Sequence, residues 1–536
     1  MTPITVVGSG PSAVHFSLSV LKKGRHVVMV DVGESKPDPV GPEQSFNQLK
    51  TGLQDPVEYF LGRSYEAVIY PGTAGEYYGF PPSKRYVFSS PPGYRVESTG
   101  FSSLASFARG GLAEAWTGGV YPFNEHELRD FPVEYSQMRS CYSEIARRIG
   151  ISGLGDDLAE FIPLHDHLLG PLDLDEHSED LLRKYERKKN LFRRQLNCVI
   201  GRARLATISR DWAHRKACTY RGRCLWGCPQ DSFYTPSLTL EECERYESFR
   251  YVPGCYVSHF RVGKDGRASH LVIDRLDAKE REEWAIDSLV LGAGTLSTSR
   301  IVLESMRQHD GTVLKLTGLM DNQQILVPFV NLDLVGHAYN DERYQYHQVA
   351  FGLIADDPFD YVHCLITTLK SALVHPLIHR TPSDMRFAIF LFKHLHAALG
   401  LVNMNLSDDR RSTNYVTLSE DGAKGDATLA LHYEPRANHA MRIQHALRRA
   451  KTVLRHLKCV VPPGQVHVRP MGASIHYAGT LPMSRERRPL TVSPNGQSHD
   501  FENVYIVDGA TFPALPAKNI TFTLMANAVR IAENSF

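Results

Sequence analysis

Short apolar runs separated by polar turns at the start of the chain predict a strand–helix–strand unit. Ile4–Val7 is a mostly β-branched run that leads into a glycine-containing turn, residues 8–13. From Val14 to Leu21, apolar residues continue at a spacing compatible with a half-buried helix. A second apolar run, Val27–Val30, ends on Asp31 and completes the unit.

The glycines of this unit predict that it binds a dinucleotide. Gly8 permits the tight turn, Gly10 lets the backbone approach a pyrophosphate, and the helix N-terminus, which contains Ser12, faces the negative charge. Asp31 follows Gly8 by 23 residues, about where an acidic residue meets a ribose hydroxyl. An ordinary tight turn is the alternative for the glycines alone, and the unit does not separate FAD from NAD.

The C-terminal end supplies a second recognisable pattern. Val504–Val507 predict a strand that runs into Asp508 and Gly509, and residues 519–533 have apolar positions at helical spacing. Together these stretches resemble the C-terminal signature of the glucose-methanol-choline (GMC) oxidoreductases. The resemblance implies that Asp508 and Gly509 line the phosphate and ribityl region of FAD. It also implies that the helix N-terminus points at the flavin ring, where it stabilises negative charge.

Three further segments match the same family in the same order. Residues 109–119 resemble the glycine-rich segment that packs on the isoalloxazine ring, and Gly254–Val257 resemble the strand whose valine backbone binds adenine. Residues 291–305 resemble the second family signature, except that Met306 stands where a glycine is usual. Beyond the first turn, the FAD-binding residues implied by the resemblance are Arg109, Gly110, Gly111, Trp116, Thr117, Gly118, Val257, Ala293, Gly294, Asp508, Gly509, Asn519 and Thr521.

Residues 472–483 resemble the catalytic stretch of the family, and His476 takes the place of its histidine. Neutral imidazole suits a general base at neutral pH, because its reference pKa is near 6.5. The second active-site position falls on Asn519, which can hold a substrate oxygen but cannot titrate. A helix N-cap is the alternative role for Asn519.

Most of the 24 histidines are predicted to be surface or core groups. A histidine taken singly is more often structural than catalytic, and His476 is distinguished only by its surrounding segment and its partner. The histidines left without a functional assignment include His126, His165, His167, His375, His379, His394 and His396.

The glycine-rich segment also bears on flavin attachment and on the substrate. Some GMC enzymes bind flavin covalently through a histidine, but Ala115 occupies that position here, so the expected cofactor is non-covalent FAD. The following pair, Trp116-Thr117, resembles the arrangement in pyranose oxidases, although plain packing is an alternative for Trp116. This resemblance implies a sugar-like hydroxyl as the group oxidised.

The predicted fold class is an α/β FAD-binding domain of the Rossmann-like, glutathione-reductase type, interleaved with an α+β substrate domain built on an antiparallel sheet. The FAD-binding domain is assigned to residues 1–35, 90–129, 196–306 and 500–536. The substrate domain and cap are assigned to residues 130–195 and 307–499. Within the latter, residues 307–470 carry no recognisable chemical motif, and the resemblance makes them a wall of the substrate cavity. The apolar stretch 365–404 is expected in the core or an oligomer contact, with a lid as the alternative.

The composition indicates which classes of binding partner to expect. The 60 basic and 59 acidic residues leave a net charge of +1, which gives no global attraction to nucleic acid or a membrane. The N-terminus shows no secretory pattern, and no apolar run reaches the roughly 18 residues a spanning helix needs. We therefore expect a cytoplasmic enzyme with a small alcohol or sugar substrate and with oxygen or another electron acceptor. The oligomeric state stays open, a homodimer included.

Nine cysteines form an odd set, which a reducing cytosol would keep mostly as thiols. Cys218, Cys224 and Cys228 lie close together in the sequence, and a metal site would need a further ligand such as His214. Their spacing does not match a zinc ribbon. We expect a structural loop near the active site and no bound metal.

Three other functions use parts of the same pattern. An NAD(P)H-using flavoprotein reductase or monooxygenase would need a second strand–glycine turn–helix unit, which the Gly292–Gly294 segment does not open. A non-redox lyase on the same fold, and a flavin-binding protein without catalysis, are the other two. Among redox enzymes, oxidase and dehydrogenase are not distinguished by any motif.

Overall fold

The computed structural model describes residues 2–35, 44–65, 67, 80–368, 378, 381–419 and 427–536. Its α-helices, in chain order, are α1 Pro11–Lys22, α2 Phe46–Gly52, α3 Pro56–Leu61, α4 Tyr135–Ile149, α5 Glu176–Arg187, α6 Lys189–Arg194, α7 Pro236–Glu244, α8 Thr295–Asp310, α9 Met385–Leu395, α10 His439–His456 and α11 Thr521–Ser535. None of these described helices is long and apolar enough to span a membrane.

The strands form five sheets. In chain order they are β1 Ile4–Val7, β2 Val27–Val30, β3 Val96–Thr99, β4 Ile151–Ser152, β5 Leu168–Leu169, β6 Cys198–Arg202, β7 Phe249–Val252, β8 Cys255–Val262, β9 Ala268–Arg275, β10 Arg281–Ala285, β11 Ser288–Leu291, β12 Lys315–Thr317, β13 Gln323–Asn331, β14 Val349–Leu353, β15 Val362–Thr368, β16 Leu399–Leu406, β17 Tyr415–Ser419, β18 Thr428–His432, β19 Cys459–Val460, β20 His467–Val468 and β21 Val504–Ile506.

A parallel sheet brings the two ends of the chain together. Its strand order is β21-β11-β1-β2-β7, with Val7 opposite both Leu291 and Val30. Its strands are short and mostly buried because helices cover them, as continuous β-branched runs predict. Helices α1 and α11 pack against each other. The predicted first strand–helix–strand unit is present, and the C-terminal strand ends at Ile506.

A seven-stranded sheet forms the second large layer. Its order is β19-β13-β16-β15-β14-β6, and β20 also pairs with β13. The residues of β13 alternate between buried and partly exposed, so that Ile325, Val327 and Phe329 enter an apolar core while Leu326 and Pro328 face the other way. All of its strands except β6 come from residues 307–470, which we expect from the sequence to form a wall of the substrate cavity.

Two details differ from the predicted division of the chain. Residues 198–202, assigned to the FAD-binding part, form β6 and pair with β14 in the antiparallel sheet. Residues 96–99 form β3 and pair with β18, which belongs to a third sheet. A short apolar run predicts a strand but not its partner, because pairing is decided by tertiary contacts.

The segment 365–404 divides into three parts. It contains the end of β15, the helix α9 and most of β16, while residues 369–377 and 379–380, with His375 and His379, lie outside the described residues. Both strands contribute to the core, as expected. Several apolar side chains of α9 are exposed, Phe387 and Phe390 by 51% and 56%. The lid and oligomer alternatives therefore remain predictions.

Candidate active site

A cavity of about 1170 Å³ is lined by both large sheets and their connecting loops. Most of the residues predicted to bind a cofactor or substrate line it. They are Gly8, Gly10, Ser12, Asp31, Gly111, Trp116, Thr117, Val257, Ala293, Gly294, His476, Asp508, Gly509, Asn519 and Thr521. Segments far apart in the chain thus meet around one space.

Arg109, Gly110 and Gly118 do not line this cavity. Arg109 forms a bidentate pair with Glu244 at 3.0 and 2.8 Å. A Cβ at Gly118 would lie 2.6 Å from the ring of Phe233, so this glycine serves close packing. Arg109 and Gly118 thus have structural roles, and the contact of all three residues with FAD stays a prediction.

The glycine turn after β1 packs closely against the turn that follows β11. Gly8 has φ +93°, and a Cβ there would lie 2.8 Å from the carbonyl oxygen of Gly292. Helix α1 begins after Gly10 without a side-chain cap, and Pro11 occupies its first turn. The N–H groups of this helix end are therefore available to an anion in the cavity.

Asp31, at the end of β2, is 9% exposed and lines the cavity. Its carboxylate accepts hydrogen bonds from the hydroxyls of Ser9 and Tyr251, the latter at 3.2 Å. Burial raises the pKa of Asp31 to about 7. The position suits a ribose hydroxyl, although Ser9 and Tyr251 already occupy one carboxylate oxygen.

The carboxylate of Asp508 connects two turns that line the cavity. Its Oδ2 accepts hydrogen bonds from Gly294 N at 2.9 Å and Thr298 Oγ1 at 2.5 Å. Its Oδ1 accepts one from Ala510 N at 3.0 Å. Asp508 therefore holds the start of α8 against the turn that follows β21.

The N-terminus of α11 also opens into the cavity. The residue before its first turn is Ile520, which provides no side-chain cap. Asn519 lies one residue earlier, and its side chain makes no capping hydrogen bond to the helix. Three described helices whose N-cap residues give no side-chain cap, α1, α8 and α11, thus have their N-termini at one space.

His476 lies beside Asn519 with one ring nitrogen turned to each of two amides. Its Nε2 is 3.3 Å from Nδ2 of Asn519, and its Nδ1 is 2.9 Å from Oδ1 of Asn322. Asn322 donates through Nδ2 to the carbonyls of Leu406 and Pro516, at 3.0 and 2.9 Å. Since both amide hydrogens are used there, Oδ1 must accept from His476, so Nδ1 carries the imidazole proton. Nε2 keeps its lone pair.

Burial governs the charge of His476. Removal of the ring from bulk water lowers its pKa to about 4. The imidazole is therefore neutral at neutral pH. A neutral ring whose Nε2 lone pair faces the cavity can accept a proton there.

The turn that carries His476 is held by Asp321. This fully buried carboxylate accepts hydrogen bonds from Gly472 N at 2.7 Å and His476 N at 2.9 Å, and from Ser474 Oγ at 2.5 Å. Ile475 adopts φ +65°, a left-handed conformation that is costly for a β-branched residue. The bonds to Asp321 stabilise this turn and so fix the direction of the His476 ring.

Asp321 and Asn322 were missed by the sequence analysis, which found no chemistry in residues 307–470. They stand directly before β13, and only the fold brings them to a histidine 154 positions further along the chain. The available signal was a pair of polar residues at the start of an apolar strand, which is too common to indicate a site.

Asn519 is anchored by its neighbour Lys518, which is completely buried. The ammonium group contacts Glu127 Oε2 at 2.5 Å and donates to the carbonyls of Pro122 and Phe161, at 3.0 and 2.5 Å. Burial of a paired charge at this position ties the segment before α11 to the core. Asn519 Oδ1 has no hydrogen-bond partner within the described part of the chain.

The cysteine loop lies near the cavity without forming a recognisable metal site. Cys218, Cys224 and Cys228 are partly buried free thiols that pack in an apolar cluster, and Leu225 lines the cavity. In the described ranges, no group of three or more histidine, cysteine or acidic side chains has the arrangement of a metal site. A structural role for the loop remains a prediction.

The chain is similar in sequence to known proteins. Residues 410–528 match a family model described as GMC oxidoreductase. The chain is 23% identical to a C-glycoside 3-oxidase from Microbacterium trichothecenolyticum, covering 99% of this chain and 96% of that protein.

Solved structures share the fold at low identity. A pyridoxine 4-oxidase from Mesorbium loti has a TM-score of 0.61 and 13% identity, covering 100% of this chain and 99% of that one. A formate oxidase has a TM-score of 0.60 and 12% identity, covering 99% of this chain and 97% of that one. The predicted fold class is confirmed.

Proposed function

We propose that this chain is a GMC oxidoreductase, an FAD-dependent enzyme that acts on CH–OH groups, and that it oxidises a hydroxyl of a sugar, glycoside or polyol to a carbonyl. In this proposal His476 is the general base. The similarity to a C-glycoside 3-oxidase along nearly the whole chain supports a sugar-type hydroxyl. The observation that carries the base assignment is the unprotonated Nε2 of His476, which accepts a hydrogen bond from Nδ2 of Asn519 at the cavity, where a substrate hydroxyl can replace the amide as donor.

The residues around the cavity fit FAD. A Cβ at Gly111 would lie 3.2 Å from Cα of Gly10, so two backbone segments meet closely where α1 begins. The helix ends of α1 and α11 suit, respectively, a pyrophosphate and the charge that gathers on a reduced flavin. Ala115 offers no nucleophilic atom, which supports non-covalent binding. When bound, FAD supplies the acceptor for the hydride of the substrate C–H bond.

His476 removes the proton of the substrate hydroxyl at Nε2 while the electron pair of the C–H bond leaves as hydride. Its lowered pKa keeps this nitrogen unprotonated before the reaction. The hydrogen bond from Nδ1 to Asn322 maintains the tautomer throughout, because Asn322 has no other orientation that satisfies its amide.

Asn519 positions the substrate oxygen. Its Nδ2 is close to Nε2 of His476, so a hydroxyl placed against both groups can donate to the histidine and accept from the amide. An amide does not titrate, and proton transfer therefore depends on His476 alone. Closeness of the two groups, which the sequence predicted as partners, makes a single contact point for the reacting hydroxyl.

An anaerobic screen tests the proposal. FAD-loaded enzyme is mixed with sugars, glycosides and polyols, and loss of flavin absorbance near about 450 nm is followed. The control variant is His337→Ala, because His337 is an exposed histidine paired with Glu176. Bleaching by wild type and His337→Ala, but not by His476→Ala, supports the proposal. Substrate turnover without bleaching would instead indicate a lyase.

The reoxidation step separates two forms of the same function. After bleaching, air is admitted in one sample and an artificial quinone acceptor is added to another under argon. Fast recovery of flavin colour in air identifies an oxidase, and recovery with the quinone alone identifies a dehydrogenase.

A further inference from the structure

The cavity face of the seven-stranded sheet is arranged in cross-strand rows. The row nearest the active histidine contains Gln324, Asn405 and His363, which are paired in register across β13, β16 and β15. All three are buried, Gln324 alone of the three lines the cavity, and its Nε2 donates to Asn405 Oδ1 at 3.3 Å. Gln324 follows Asn322, the partner of His476, by two residues. This end of the wall is therefore polar.

The character of the wall changes along the strands. The next row contains Leu326, Asn403 and Leu365, and the row after it contains Pro328, Leu401 and Thr367. Leu399 continues the same face of β16. The side chains of Leu326, Pro328, Leu399 and Leu401 line the cavity and are partly exposed to it.

Distance separates the two ends. A strand rises about 3.4 Å per residue, so Leu326 and Pro328 lie about 7 and about 14 Å along β13 from Gln324. One sugar ring in contact with His476 and Gln324 cannot also cover both apolar rows. Asn403 provides a polar group between the two ends, and its Oδ1 is buried without a hydrogen-bond partner among the described residues. A hydroxyl of the substrate can donate to it.

We infer that the substrate is a glycoside with an apolar aglycone, whose sugar part contacts His476 and whose aglycone lies against Leu326, Pro328, Leu399 and Leu401. This inference rests on the proposed function and adds the second half of the substrate. Four apolar side chains left facing an open cavity favour an apolar group there, because contact removes both surfaces from water. A free sugar or a polyol uses only the polar row.

Matched glycosides test this inference. Methyl and phenyl glucosides, galactosides and xylosides of both anomers are compared as reductants of the enzyme-bound FAD under anaerobic conditions. For at least one sugar, the phenyl glycoside should have a kcat/KM at least about tenfold above that of the methyl glycoside, mainly through KM. Equal values for each pair would overturn the inference while leaving the proposed function intact. Failure of all glycosides and free sugars to bleach the flavin would overturn the proposed function itself.

Two wall variants and a control locate the aglycone. Leu401→Asn and Leu326→Asn should each reduce the ratio of kcat/KM for the phenyl glycoside to that for the methyl glycoside to about twofold or less. Thermal unfolding and the spectrum of the bound flavin show whether each variant folds and holds FAD. Leu332→Asn is the control, because Leu332 is 53% exposed and lies in the turn after β13. A phenyl advantage that survives both wall variants would overturn the inference.

Discussion

Oδ1 of Asn322 accepts a hydrogen bond from Nδ1 of His476 at 2.9 Å, while both hydrogens of the same amide go to backbone carbonyls. This arrangement determines the tautomer of the imidazole, in which Nδ1 carries the proton and Nε2 keeps the lone pair. Asn322 is thus a positioning residue, and the proton-accepting lone pair on Nε2 is a consequence of packing around an amide that is 1% exposed.

Replacing Asn322 should therefore change both the pKa of His476 and the rate of substrate oxidation. In Asn322→Asp, a carboxylate beside Nδ1–H would stabilise the imidazolium and raise the pKa of His476, so the acid limb of kcat/KM should move to higher pH. In Asn322→Leu the ring loses its partner, and kcat should fall about tenfold to a hundredfold.

Asn331→Asp is the matched control for this pair of variants. Asn331 is a buried asparagine at the far end of β13, bonded to Lys184 and Asp180. The Asn331→Asp variant should have a lower free energy of unfolding and the same dependence of kcat/KM on pH as wild type. An unchanged acid limb in Asn322→Asp would show that Asn322 has only a structural role.

The pH dependence of the wild-type enzyme follows from burial of His476. Burial disfavours the charged ring and lowers its pKa to about 4, and only the neutral ring accepts a proton. Protonation of His476 should therefore not slow flavin reduction between pH 7 and about 5, and should slow it at about 4. Burial raises the pKa of Asp321, which holds the His476 turn, to about 6, so the limb that belongs to His476 is identified by its shift in Asn322→Asp. Stopped-flow mixing into acidic buffer keeps exposure to low pH short. A limb at about 6.5, the ordinary value for imidazole, that moves to higher pH in Asn322→Asp would contradict this account.

Substitution of Gly10 should weaken the binding of FAD without changing the fold. A Cβ at Gly10 would meet only the carbonyl oxygen of Gly292, at 3.9 Å, so Gly10→Ala fits the protein but places a methyl group in the cavity. Its dissociation constant for FAD should rise about tenfold or more, because backbone approach to the pyrophosphate is blocked. Titration calorimetry of the apoprotein measures this.

Gly170→Ala provides the comparison for Gly10→Ala. No heavy atom lies within 4 Å of the Cβ that it adds, and Gly170 is outside the cavity lining. Thermal unfolding of both apoproteins should match wild type. Equal FAD affinity in the two variants would place the pyrophosphate elsewhere.

The buried pair of Lys518 and Glu127 should show strong coupling. Lys518→Met leaves a carboxylate buried without its counter-charge and should lower the free energy of unfolding by about 3–5 kcal/mol. Adding Glu127→Gln removes that charge while the amide can still accept from Asn124 N, so the double variant should recover part of the loss. Urea unfolding measures the coupling. Simple additivity of the two single losses would contradict it.

The cofactor half of the molecule was predictable because its requirements are local. A turn such as that at Gly8 demands glycine at a fixed distance from a strand and a helix, and these features are adjacent in the sequence. His476 and Asn519 were predicted together from two separate segments, and the structure places their side-chain nitrogens 3.3 Å apart.

The residues that hold the active-site side chains in place were not predictable in this way. Asn322 reaches His476 only through the placement of β13, and no spacing in the sequence connects them. The strand β6 shows the same limit, since its apolar run predicts a strand but not the sheet it joins. Arg109 illustrates the opposite case, in which a motif position is occupied by a residue paired with Glu244 away from the cavity.

The rate of anaerobic flavin bleaching tests most directly whether His476 is the base that accepts the hydroxyl proton of the substrate as hydride leaves the C–H bond. Wild type and His476→Ala, both loaded with FAD, are mixed in a stopped-flow instrument with a glycoside that reduces the wild type. We expect His476→Ala to retain its flavin spectrum and to bleach at least about a hundredfold more slowly at pH 7. Equal bleaching rates in the two proteins would contradict the account.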